Sequence, residues 1–182
     1  MPNFKIDIEK SINATLYVLD KLGGRADFHK VFKILYFADQ KHLSKYGRPV
    51  TGDSYVAMKN GPVPSNIYDI FKSIKSDSIF VDYGKKFVSY FDIKTNQHHV
   101  TAKLKADLEV LSETDIDCID ESIEENKHLS FAQLTDKSHD NAYNKSINND
   151  YISLFEIAKA GGADDTMLKY ISLNIENQRA LS

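Results

Sequence analysis

Lys30–Ser65 reads KVFKILYFADQKHLSKYGRPVTGDSYVAMKNGPVPS, and its two hydrophobic periods and the breaks between them decide the fold. Phe28, Val31, Phe32, Leu35 and Leu43 recur at helical spacing, and Asp39 falls four residues after Leu35 on the same side. His42 follows Asp39 by three residues, a spacing at which two helical side chains can meet. The pattern breaks after Tyr46, at Gly47 and Pro49. Tyr55 to Lys59 alternates as a strand does, and Asn60-Gly61-Pro62-Val63-Pro64 then reads as a stiff corner. Asparagine and glycine tolerate positive φ there, and the two prolines hold their predecessors extended. Ser65 is placed to cap the helix that follows.

Outward from this stretch the same rules apply. Ile8, Ile12, Leu16, Leu19 and Leu22 mark a first helix stopped by Gly23-Gly24, and Asp27 is placed to cap the second, which runs to about Tyr46. Ser54–Lys59 reads as a strand and Ser65–Lys75 as a short helix. Ile79-Phe80-Val81 and Phe87–Phe91, separated by Asp82-Tyr83-Gly84-Lys85, give a hairpin signal, with a third strand near His98–Val100. Leu104, Leu108 and Leu111 suggest a helix from Thr101. Ser112 with Asp115 forms a capping-box pattern before an acidic helix with a narrow stripe of Ile116, Ile119 and Ile123. Ser130 caps a helix carrying Phe131 and Leu134, Tyr151–Ala160 is a helix stopped by Gly161-Gly162, and Asp164 caps a last helix with Met167, Ile171 and Ile175. The expected fold is α+β and predominantly α-helical, a single domain over 1–182 with a small antiparallel sheet of about three strands between Ser54 and Val100.

The motifs resemble the Panacea domain, the SocA-like antitoxin family found in bacteria and their phages. The matching elements are Lys33-Ile34-Leu35-Tyr36-Phe37-Ala38-Asp39 with His42-Leu43, Tyr46-Gly47-Arg48-Pro49, Gly52–Met58 and Gly61-Pro62-Val63-Pro64-Ser65. A weaker echo runs from Leu129-Ser130 to His139-Asp140-Asn141-Ala142-Tyr143, where Tyr143 stands at a position that is often tryptophan in the family. The resemblance covers about Leu16 to Tyr143. It implies a binding protein that neutralises a toxin protein encoded by an adjacent gene, with no established catalytic chemistry and no cofactor. In one branch of the family the antitoxin is also an adaptor, which would add a protease as a partner. The alternative is a stand-alone phage or prophage protein that binds nucleic acid or counters a host defence toxin.

Gly52-Asp53-Ser54 resembles the nucleophile block of one esterase family, but nothing places a base beside Ser54. His98 and His99 are adjacent and would point to opposite faces of a strand, and no paired metal-ligand spacing occurs. The single cysteine, Cys118, excludes an internal disulfide framework, and neighbouring Asp117 and Asp120 disfavour its thiolate. A carboxylate on an apolar stripe must be hydrogen-bonded or paired, so Asp39 either holds the adjoining strand or corner, pairs with His42 or Arg48, or lines a partner groove with Tyr36 and His42. Tyr36, Asp39, His42, Gly61, Pro62 and Pro64 are therefore the candidate motif, and His139-Asp140 either cap a helix or join it.

Composition is that of a globular protein, 42% hydrophobic and 27% charged, but the net charge of −3 is unevenly distributed. Residues 1–105 hold 17 basic and 10 acidic side chains, whereas residues 106–182 hold 6 and 16. Nine carboxylates and no basic residue lie between Asp107 and Glu125. Either the halves complement each other inside one fold, or Glu121, Glu124 and Glu125 face a basic partner. Lys30, Lys33, Lys41 and Lys45 approximate one helix side and are the best feature for nucleic-acid binding. A pI near 6.1 and only three arginines in the chain argue against it. MPNFKIDIEKS has no apolar signal core and no run is long enough to span a bilayer, so a cytoplasmic protein is expected.

Overall fold

The computed structural model describes residues 3–75, 85–94, 97–146 and 149–180. Helix α1 (Ile8–Lys21) starts where the Asp7 carboxylate accepts the Lys10 N–H at 3.0 Å. The chain leaves it through Gly23 and Gly24, forms strand β1 (Arg25–Asp27), and enters α2 (Phe28–Tyr46) at once, with Asp27 accepting the Lys30 N–H at 2.9 Å. Helix α2 is the axis of the molecule. It is buried at twelve of its 19 residues, on both sides, as an all-round packed helix must be. One core lies between α1, α2 and the chain that follows, with Leu16, Leu19, Val31, Phe32 and Leu35. The other gathers Tyr36, Phe37, Leu43 and Tyr55 against C-terminal residues such as Ile157, Ile171 and Ile175. Gly47 ends α2 in the left-handed region at φ +69°, and a Cβ there would stand 2.4 Å from the Tyr170 ring.

After α2 comes a hairpin, β2 (Tyr55–Met58) and β3 (Gly61–Pro64), in register Tyr55↔Pro64 and Met58↔Gly61. The stretch read as a corner is thus a strand. Its prolines are tolerated for a definite reason. The Ala57 N–H donates away from β3 to Asp150 O (2.9 Å), so Val56 and Met58 are the residues that bond to Val63 and Gly61. Pro62 and Pro64 fall at the alternate positions, where no donor is required. The far side of β2 is covered by the chain at 149–152, with Ile152 N–H on Tyr55 O at 2.7 Å.

Helix α3 (Ser65–Lys75) is capped from a distance. Asp53 Oδ1 accepts the Asn66 N–H at 3.0 Å and Oδ2 the Ile67 N–H at 3.1 Å, so Asp53 does the work expected of Ser65. Phe71 of α3 joins Phe28, Phe32 and Phe91, with ring centroids 4.9–5.6 Å apart.

The three-stranded antiparallel sheet has the order β1–β5–β4, where β4 is Phe91–Asp92 and β5 is His99–Ala102. Its membership differs from the expectation: β1 replaces the strand near residue 55, which belongs to the separate hairpin. Ile79–Val81 lies outside the described residues, and Phe87–Tyr90 is a turn rather than a strand. No helix starts at Thr101. The Ala102 and Lys103 N–H groups bond to Gly24 O and Tyr90 O, the Asp107 N–H bonds to Asn13 Oδ1, and Leu104 and Leu108 stay exposed. Only a 3₁₀ turn, Leu108–Val110, forms there.

Helix α4 (Glu113–Asn126) opens with the expected capping box of Ser112 and Asp115 and lies along α2, where the Ser122 hydroxyl bonds to Ile34 O at 2.7 Å. Helix α5 (Phe131–Ser138) opens with a second box, Ser130 and Gln133. Short α6 (Asn141–Asn144) and α7 (Leu154–Ala160) follow; α7 begins later than Tyr151 because that residue bridges to Val56. Helix α8 (Asp165–Ala180) starts with the Met167 N–H on Asp164 Oδ1. Among the described residues no helix is long and apolar enough to cross a membrane.

Candidate functional site

Asp39 is buried in the middle of α2 and faces the loop that follows the helix. Its Oδ1 accepts the N–H groups of Val50 (2.7 Å) and Thr51 (3.0 Å), and its Oδ2 accepts the Thr51 hydroxyl (2.7 Å) and the Tyr55 phenol (2.8 Å). Burial pushes the carboxyl up to about 6, although all four donors act in the opposite direction. One helical carboxylate thereby fixes the path of Val50–Tyr55, and through Tyr55 the register of β2 against Pro64.

Tyr36 continues the network. Its ring meets Tyr55 edge-on at 5.2 Å, and its hydroxyl donates to Asp140 Oδ2 at 2.9 Å. Gln40 donates to the same oxygen, while Asp140 Oδ1 caps α6 by accepting the Ala142 and Tyr143 N–H groups. Burial, then the Asp140 charge, raises the Tyr36 phenol far above its ordinary range, so it stays a donor. The Tyr143 hydroxyl donates to Met58 O at 3.0 Å, tying α6 to the hairpin. His139 ends α5 and stacks on Tyr143 at 4.1 Å, its buried Nε2 without a hydrogen-bond partner.

His42 does not meet Asp39. Its Nδ1 lies 2.8 Å from Arg48 O, an acceptor, so the proton sits on Nδ1. Its Nε2 faces Thr114 Oγ1 at 3.0 Å and Asp115 Oδ1 at 3.2 Å, on the α4 side. Burial holds His42 down to about 4 despite that carboxylate. Asp115 is itself buried, and burial would raise it. The Lys10 ammonium at 2.6 Å, together with the Ser112 N–H, outweighs that and keeps it below the usual carboxylate range. Arg48 Nη1 adds a contact at 2.9 Å. His42 is thus a joint between α1, α2 and α4, separate from the Asp39–Tyr36–Asp140 chain.

Gly61 and Pro62 surround a residue that sequence reasoning treated as one of a lysine stripe. Lys33 is buried, its ammonium donates to Pro62 O at 2.8 Å, and burial lowers it to about 7. Gly61 has φ +97°, and a Cβ there would lie 2.4 Å from Ser138 Oγ and 2.9 Å from Lys33 Cε. The hairpin turn can sit on α2 and α5 only without a side chain at this position.

The other lysines of the stripe are also engaged inside the molecule. Lys30 donates to Lys127 O and Leu129 O at the end of α4, both at 2.8 Å. Lys41 pairs with Glu125 at 2.6 Å and reaches Glu121 at 3.7 Å, and Lys45 pairs with Glu121 at 2.6 Å. Glu124 pairs with Lys127 at 2.6 Å. Of the two readings of the uneven charge, complementarity within the fold is what the α2–α4 interface displays. Cys118 lies in that interface, and burial, more than its acidic neighbours, pushes its thiol up to about 11.

Asp53 was missed by sequence reasoning except as part of Gly52-Asp53-Ser54. Its carboxylate, raised by burial, holds the start of α3, and the Ser54 hydroxyl accepts a bond from Asn3 Nδ2 at 2.6 Å. Among the described residues no cluster of three or more His, Cys, Asp or Glu could hold a metal ion. A groove of about 580 Å³ opens between the start of α2, the hairpin tip, Tyr68 of α3 and Phe131 of α5. Phe131, expected among the apolar helix residues, is 53% exposed on its lip.

A family model described as antitoxin SocA-like, Panacea domain, matches residues 31–144. Neither a curated protein nor a solved structure matches the chain. The matched span runs from the first turn of α2 to the end of α6 and encloses buried Lys33, Asp39, Asp53 and Asp115 and half-buried Asp140, polar residues that lock these elements together. The chain belongs to the SocA-like antitoxin family defined by the Panacea domain.

Proposed function

We propose that this protein is an antitoxin that neutralises a toxin protein by forming a direct complex with it, and that it has no catalytic step of its own. The observation that carries the reading is the family match over most of the folded core, 31–144. The disposition of the polar residues is consistent with it. Asp39, Asp53, Asp115, Asp140 and His42 are each turned inward to N–H groups, hydroxyls or cations of the scaffold, which suits a rigid body that presents a surface. The nucleic-acid reading loses its main support because Lys30, Lys33, Lys41 and Lys45 are all occupied within the fold. Delivery of the toxin to a protease would be a further role of the same complex.

The test is co-expression with the product of the adjacent reading frame. Toxicity of that product alone, with growth restored by this chain, supports the proposal. Growth arrest that persists with both chains abundant and folded refutes it.

A further inference from the structure

Two hollows adjoin at Asp27. The first is the 580 Å³ groove, whose walls include Phe28, Phe32, Val63 and Tyr68 and whose lips carry Phe131 and Lys59. The second, about 420 Å³, is lined by Arg25, Lys30, His99 and Lys127. One surface therefore places an aromatic groove beside a cationic hollow. Phe131 holds a large apolar area in solvent, its ring resting on His29 at a centroid distance of 3.9 Å. Exposed aromatic area rimmed by polar groups is characteristic of a docking surface.

Charge selects the occupant. Arg25, Lys59 and Lys127 line the two hollows together with Lys30 and Lys33, whose ammonium groups are already held by backbone carbonyls, and the one carboxylate among the described lining residues is Asp27, which accepts the Lys30 N–H. Glu124 offsets Lys127, whereas Lys59 has no ion pair among the described residues. Further along α2 the situation is reversed, with Lys41 and Lys45 neutralised by Glu121 and Glu125. Among the described residues, the positive charge of this face held by neither an ion pair nor a backbone carbonyl is thus that of Lys59 and Arg25, beside the open apolar groove. Complementary charge around an apolar anchor is how such surfaces choose partners.

We infer that the joined hollows seat one acidic segment of the partner protein, with a large apolar side chain against Phe131 and Tyr68 and carboxylates toward Lys59 and Arg25. This rests on the antitoxin reading and locates its binding face. The test measures affinity between the purified chain and the purified product of the adjacent frame, at about 0.1 M salt so that surface charges are not fully screened. Lys59→Glu and Phe131→Glu are compared with Leu173→Glu, an exposed position on α8 outside both hollows. All three sites are exposed, so the variants should melt with the wild type.

The expected result is affinity at least tenfold weaker for Lys59→Glu and Phe131→Glu and unchanged for Leu173→Glu. Wild-type affinity in both groove variants overturns the docking site while leaving the antitoxin reading intact. A wild-type chain that does not bind the product removes both. Binding of a random-sequence oligonucleotide that Lys59→Glu abolishes would assign the hollows to nucleic acid and overturn the inference.

Discussion

Replacing Asp39 separates the work of its shape from the work of its charge. Alanine removes an acceptor serving four donors, two of them the backbone N–H groups of buried Val50 and Thr51. Each stranded buried donor costs about 1–3 kcal/mol. Against this, the wild type spends roughly 3 kcal/mol at neutral pH keeping ionised a carboxyl whose value is raised from 3.8 to about 6. The expected net loss for Asp39→Ala is about 4 kcal/mol, a fall in Tm of roughly 8–16 °C for a chain of this length. Asp39→Asn should behave differently. Its Oδ1 still accepts both N–H groups, and the Thr51 and Tyr55 hydroxyls can rotate to accept from the new amide. Near pH 7.5 it should lie within about 1 kcal/mol of wild type.

The pH dependence gives the sharper reading. Below about 6 the folded wild type holds a proton on Asp39 that the unfolded chain, at 3.8, releases, so Asp39 adds stability as pH falls through this window. Asparagine cannot, and Asp39→Asn should fall behind wild type by roughly 2 kcal/mol at pH 4.5. Urea melts at pH 7.5, 6 and 4.5 measure all of this. An Asp39→Ala variant within about 1 kcal/mol of wild type, or an asparagine variant as damaged as alanine, would show that Asp39 does not hold this loop through its four donors.

Three further outcomes follow from the same geometry. Lys33, lowered from 10.5 to about 7 by burial, binds a proton in the unfolded chain that the fold expels, so its contribution grows as pH rises from 7 toward 10. Lys33→Met should abolish that alkaline gain and be no less stable than wild type at pH 7; melts at pH 7 and 9 decide. Gly61→Ala should cost about 3 kcal/mol from its positive φ and the clash at Ser138 Oγ, and Ser138→Ala in the same chain should return about 1 kcal/mol, read as a coupling energy in a double-mutant cycle. Glu121→Lys should destabilise by about 1 kcal/mol by facing Lys41 and Lys45, and adding Lys45→Glu should restore most of the loss in thermal melts.

What the sequence disclosed was local. The period of α2, the caps at Asp27, Ser112, Ser130 and Asp164, and the stop at Gly47 depend on neighbours within about four residues, and all are where the chain pattern puts them. Asp39 could be picked out because a carboxylate on an apolar stripe demands partners, but its donors come from the loop beyond the helix and its spacing to His42 proved irrelevant. The misreadings share one cause. Asp53 caps α3 from 13 residues away, β1 is ordered by pairing with residues 99–101, and the prolines of β3 are admissible only because Ala57 bonds outward. Each of these is a relation between distant segments. Lys33 escaped notice for the same reason: as a residue type it belongs to a basic stripe, and only the Gly61–Pro62 turn above it reveals a buried amine.

If this chain is an antitoxin, it acts by holding its toxin in a stable complex. The most direct measurement is titration of the purified chain into the purified product of the adjacent reading frame, following heat of binding and toxin activity together. A saturable complex is expected, its stoichiometric point coinciding with loss of toxin activity. Toxin activity unchanged at saturation, or lost without any complex, would contradict it.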